Sequence, residues 1–85
     1  MAISNTKRRT IKLPFVSKEE FMNKITIFLF QIGYTQDFKS DNFFSYKPSF
    51  EGGILAGRIN ITINQNEAII DGPKINMLKL EKFKV

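Results

Sequence analysis

Residues 17–33, SKEEFMNKITIFLFQIG, most narrow the folds open to this chain, because they mark one helix at both ends. Ser17 with Glu20 three places on has capping-box spacing, in which the hydroxyl accepts from the N3 amide and the carboxylate reaches back to the N-cap amide. Val16 and Phe21 are spaced for a hydrophobic staple, and Gly33 offers a left-handed stop. Between these signals Phe21, Ile25, Phe28, Leu29 and Ile32 recur every three or four residues and make one apolar face. Such a face has to be buried against a second layer. At 100° per residue from Phe21, Phe30 falls near 180° and Ile27 near 240°, away from that face. Two readings fit this pair. A core that wraps further round the helix, or a C-terminal segment laid over it, would bury them, and the small size of the domain favours this. Alternatively, Ile27 and Phe30 form a protein interface, with a homodimer the simplest partner.

The rest of the chain reads mainly as strand. Residues 9–15, RTIKLPF, alternate around Ile11 and Leu13, with Pro14 suited to a strand end or an edge. After Gly33, residues 34–39 and 43–47 are short aromatic-rich strands around a turn at 40–42. Pro48 stops the second, and 48–53 form a loop. Residues 54–64 hold the clearest strand, with Ile59, Ile61 and Ile63 on one side and Asn60, Thr62 and Asn64 on the other. A two-residue turn at Gln65-Asn66 would pair Asn64 with Glu67, Ile63 with Ala68 and Ile61 with Ile70, which keeps the isoleucine face continuous. Asp71-Gly72-Pro73 should end that strand and start a short helix. The alternation of Leu78/Leu80 and Phe83/Val85 would also suit a strand. The order β-α-β-β-β-β, with that short C-terminal helix, describes a small α+β domain over 9–85. Its sheet is mainly antiparallel, with the amphipathic helix packed on one face. Residues 1–8, polar and without periodicity, are expected to be a disordered basic tail.

Composition limits the chemistry. The 85 residues include no histidine and no cysteine, so thiol and imidazole nucleophile–base pairs, and nitrogen or sulfur metal sites, are not on offer. Asp37, Asp41, Glu51, Glu67 and Asp71 sit mostly in or beside expected turns, at no catalytic spacing. Gly52, Gly53 and Gly57 lack the Gly-Lys-Ser/Thr ending of a phosphate loop. No enzyme activity, cofactor or metal is therefore expected. The longest apolar run, 27–30, is too short to span a bilayer and the N-terminus has no apolar signal core, so a cytoplasmic location is expected.

Charge is concentrated at the ends: residues 1–12 carry +4, residues 73–85 carry +3 and the stretch between carries −2, within a net +5. Basic ends attract phosphate or anionic surfaces, and serve equally as solvated tails. Residues 39–46, KSDNFFSY, resemble in part the third-strand motif of the RNA recognition motif family, with Lys39, Phe43 and Tyr46 at its basic and stacking positions. Ser40 stands where that motif has its defining glycine, and a strand rather than a helix follows, so membership is not implied. What remains is the physical point that strand aromatics beside lysines can stack bases. The first functional expectation is a non-enzymatic protein-interaction module. The alternative is RNA or single-stranded DNA binding through Lys7, Arg8, Arg9, Lys74, Lys79, Lys82 and Tyr46.

Overall fold

The computed structural model describes residues 7–48 and 57–83. The elements run β1 (Arg8–Pro14), α1 (Lys18–Gln31), β2 (Tyr34–Lys39), β3 (Phe43–Pro48), β4 (Ile59–Asn64), β5 (Glu67–Pro73) and α2 (Lys74–Leu80). Among the described residues they form one five-stranded sheet in the order β1-β5-β4-β3-β2, antiparallel throughout. The domain is thus α+β, as its patterning implies. β1 and β2 are consecutive strands, yet they occupy opposite edges. Helix α1 therefore crosses the sheet between them, while β2 to β5 return as a meander.

The hairpin register follows from the isoleucines. β4 and β5 pair Ile61 with Ile70, Ile63 with Ala68 and Asn64 with Glu67, as a turn at Gln65-Asn66 requires. Gln65 takes a left-handed φ of 59° to close it. Three expected boundaries differ. β1 begins at Arg8, inside the segment expected to be a disordered tail, because its first residues pair with the end of β5. β5 runs through Asp71 and Gly72 to Pro73 before α2 begins, for the same reason. β4 begins at Ile59, since Gly57 has a positive φ of 77° and Gly57-Arg58 lie outside the ladder. The expected tail at 1–6, loop residues 49–53, strand residues 54–56 and the last two residues, 84–85, lie outside the described residues.

Both helices lie on one side of the sheet, α1 against β2 and α2 against β5 and β1. Ser17 caps α1 by accepting from the Glu20 amide at 3.3 Å. The reciprocal half of the box is not made, as the Glu20 carboxylate pairs with Lys24 at 3.3 Å instead. The expected staple is also absent. Val16 is fully exposed, and Phe15 takes its place by stacking on Phe21 with ring centroids 5.2 Å apart. Phe21, Ile25 and Leu29 are fully buried in the same core as Tyr46, Ile59, Ile61 and Ile70, whereas Phe28 and Ile32, expected on the same face, are partly buried at its flank. Gly33, with φ 97°, turns the chain into β2. Gly72 serves packing: a Cβ there would lie 2.9 Å from both Ile59 and Met77, so its absence lets α2 seat on β5. Ile25→Ala is expected to destabilise the domain by about 2–5 kcal/mol. Ser17→Ala should cost about 0.5–2 kcal/mol. Val16→Ala should cost under about 0.5 kcal/mol. Urea melts of the three variants check the ranking, and a large effect at Val16 would contradict this account of the helix start.

Candidate functional site

Helix α2 carries two apolar stripes, and the sheet can take only one. Asn76, Met77 and Leu80 are buried against it. Ile75 and Leu78 point the other way, 66% and 42% exposed. On a helical wheel they lie roughly opposite the buried set, as 100° steps demand. Facing them across a gap are Phe28 and Ile32, on the flank of α1. Phe83, just past α2, extends the apolar floor by packing its ring 5.3 Å from that of Phe28. The result is a groove of about 800 Å³ between the helices, lined by Phe28, Ile32, Ile75 and Leu78 with Lys79, Glu81 and Lys82 at its rim.

A short polar chain lies on the other, buried side of α2. The Asn76 amide donates to the Tyr34 hydroxyl at 2.9 Å, and that hydroxyl donates to the Gly57 carbonyl at 2.8 Å. It ties α2 to the start of β2. Burial of Tyr34 raises its phenol above the ordinary value of 10.0, against the lowering effects of the Asn76 hydrogen bond and the Arg8 charge.

The basic residues expected to act together converge only in part. The Lys74 amide donates to the Lys7 carbonyl at 3.0 Å, which brings the N-terminal arm beside the start of α2. Arg8 and Arg9 are not free for a ligand: Arg8 pairs with Asp71 at 3.1 Å and donates to the Arg58 carbonyl at 2.8 Å, while Arg9 pairs with Glu81 at 2.7 Å. Lys7, Lys74, Lys79 and Lys82 are exposed. Tyr46 corrects the expectation of a stacking residue, for it is fully buried beneath α1. Its hydroxyl shares a hydrogen bond with Thr26 at 2.9 Å and accepts from Gln36 at 3.1 Å, so no ring face is left for a base. Ile27 and Phe30 are 59% and 68% exposed, so neither the core nor the described C-terminal residues cover them.

The described elements leave the opposite face of the sheet uncovered, and it is mostly polar. Arg58 reaches across it to Asp37 at 2.6 Å and donates to Ser45, whose hydroxyl donates to Asn60. At the β2 edge a bulge at Asp37 brings Phe38 to this outer face, its ring 6.0 Å from that of exposed Phe43. Sequence reasoning missed both this aromatic pair and the groove. The bulge hides the first, since alternation from Gln36 would turn Phe38 inward. The second had a visible signal: Ile75/Leu78 and Met77/Leu80 are both three apart on a seven-residue helix.

No family model matches the chain, and no curated protein or solved structure matches it. Among the described residues there is no group of three or more acidic, histidine or cysteine side chains placed to hold a metal ion, and no helix long and apolar enough to cross a membrane.

The raised Tyr34 phenol has a consequence for stability. In the folded state it keeps its proton over a pH interval in which the unfolded chain loses it. Its contribution is therefore complete below the ordinary tyrosine value of 10.0 and is lost as pH rises through the folded value. Tyr34→Phe should cost about 1–3 kcal/mol near neutrality, by stranding the Gly57 carbonyl and the Asn76 amide. It should also lose stability less steeply than wild type above about pH 10. Urea melts across that range check both, and parallel curves would contradict the role given to the phenol.

Proposed function

We propose that this chain is a small non-enzymatic protein-interaction module that receives an apolar segment of its partner on the helical layer. The groove between α1 and α2 carries the reading. Phe28, Ile32, Ile75 and Leu78 line a recess that the domain's own described elements do not fill. Ile27 and Phe30 add exposed apolar area on the outer side of α1. Contiguous apolar surface on a domain that needs most of its large side chains for its core is a feature of binding surfaces. A cytoplasmic setting is part of this proposal, and a chain without cysteine is compatible with a reducing compartment.

The Phe38–Phe43 pair favours a second reading, RNA or single-stranded DNA binding on the open sheet face. That reading needs cations beside the rings. Lys12, Lys47 and Arg58 do share the outer face with Phe38 and Phe43, but Arg58 is held by Asp37, and the lysines expected to bind, Lys79 and Lys82, rim the groove on the helical side. The apolar groove on the helical layer supports the protein-binding reading.

Selection of random displayed peptides on the immobilised domain tests the proposal. Apolar peptides should be enriched, and Ile75→Lys should abolish their binding while circular dichroism stays unchanged. Enrichment that ignores both Ile75→Lys and the Ile27→Lys/Phe30→Glu double variant would reject the helical layer as the docking surface. The same material, sedimented with and without that double variant, reports whether Ile27 and Phe30 join two copies of the chain.

A further inference from the structure

We infer that the occupant of the α1–α2 groove is an acidic amphipathic helix of a different protein, a conclusion that rests on the protein-binding reading and specifies its partner. Hydrogen bonding favours a helix as the occupant. The groove is walled by side chains of two helices, whose backbone donors and acceptors are largely spent within the helices themselves. Phe28, Ile32, Ile75 and Leu78 offer an entering segment no main-chain partner. An extended segment would leave its peptide groups unmet there, as it would not beside a sheet edge. A helix meets its own backbone requirement and presents only side chains, as in grooves that seat apolar anchors at i, i+3, i+4 and i+7.

Charge at the rim favours an acidic one. Of the three ionised groups at the rim, Glu81 is held by Arg9 at 2.7 Å, which removes its negative charge from the account. Lys79 and Lys82 have no ion-pair partner among the described residues, and Lys74 stands exposed at the start of α2. An apolar floor flanked by unpaired ammonium groups complements apolar side chains flanked by carboxylates. The same rim disfavours a second copy of this chain in the groove. A two-fold interface would set Lys79 and Lys82 close to their own symmetry mates, within molecules that each carry +5. A lipid surface would meet the same lysines and the exposed Ile75 and Leu78, so the vesicle arm of the test separates it from a helical partner.

The test uses a displayed library of helical peptides with leucine or phenylalanine fixed at i, i+3, i+4 and i+7 and all other positions drawn evenly from Glu, Lys, Gln and Ala. Selection on the full chain should enrich peptides with net negative charge. The best of these, made synthetically, should bind about tenfold more weakly to the Lys79→Glu/Lys82→Glu variant, chiefly through a slower on-rate and a flatter salt dependence. Selection repeated on that variant should enrich net positive peptides, and Leu78→Lys should abolish binding of either kind. Enrichment that is lost in Leu78→Lys but carries no charge preference would overturn the acidic partner and leave the docking groove standing. Absence of any enrichment would overturn both. Vesicles of mixed phosphatidylserine and phosphatidylcholine serve as the remaining arm, and binding to them without peptide enrichment would assign the lysines and the apolar floor to a membrane surface instead.

Discussion

The width of the sheet is the constraint on which the rest depends. Five strands at about 4.8 Å spacing span roughly 20 Å, while a helix with its side chains covers about 10 Å. Helix α1 links strands at opposite edges and packs on β2, so it cannot also roof β5 and β1. Those strands expose Ile11, Ala68 and Ile70 on the same side and need a cover of their own. α2 supplies it, seated through Met77 on a β5 that Gly72 keeps low. Two helices sharing one sheet leave a seam. The apolar flank of α1 and the outward stripe of α2 meet solvent along that seam, so the groove is a product of the topology.

Polar contacts hold these pieces in place without much energy of their own. The Asn76–Tyr34–Gly57 chain and the Tyr46 hydroxyl with Thr26 and Gln36 satisfy groups that burial would otherwise penalise. The pairs Arg8–Asp71 and Arg9–Glu81 are about 40% exposed and so contribute little to stability. Their effect is on the charge pattern: they neutralise the N-terminal arginines and leave the unpaired lysines of α2 as the positive feature of the helical side.

Sequence periodicity revealed most of this architecture and misjudged its margins for identifiable reasons. Ile59, Ile61 and Ile63 against Ala68 and Ile70 determined the hairpin register, because a slip by one residue would turn every isoleucine outward. Capping signals located α1 to within a residue or two. Tyr46 misled, because alternation along β3 gives two faces and does not say which is covered; Ser45 and Phe43 lie on the open one. The order of the strands was also illegible, since no local signal told that β1 would pair with β5. That pairing draws Arg8 into the sheet and sets Lys7 beside Lys74. The groove could be read only once α2 had a known side against the sheet.

The reading of the helical layer as a docking surface requires that its outward apolar residues do no service in the core. Denaturant unfolding of Ile75→Ser and Leu78→Ser, compared with Met77→Ala on the same helix, tests that requirement most directly. The two outward variants are predicted to stay within about 0.5 kcal/mol of wild type. The inward one should lose about 2–5 kcal/mol. A loss of about 2 kcal/mol or more at Ile75 and Leu78 would contradict the account, because it would make these residues part of the core and leave no apolar surface for a partner to cover.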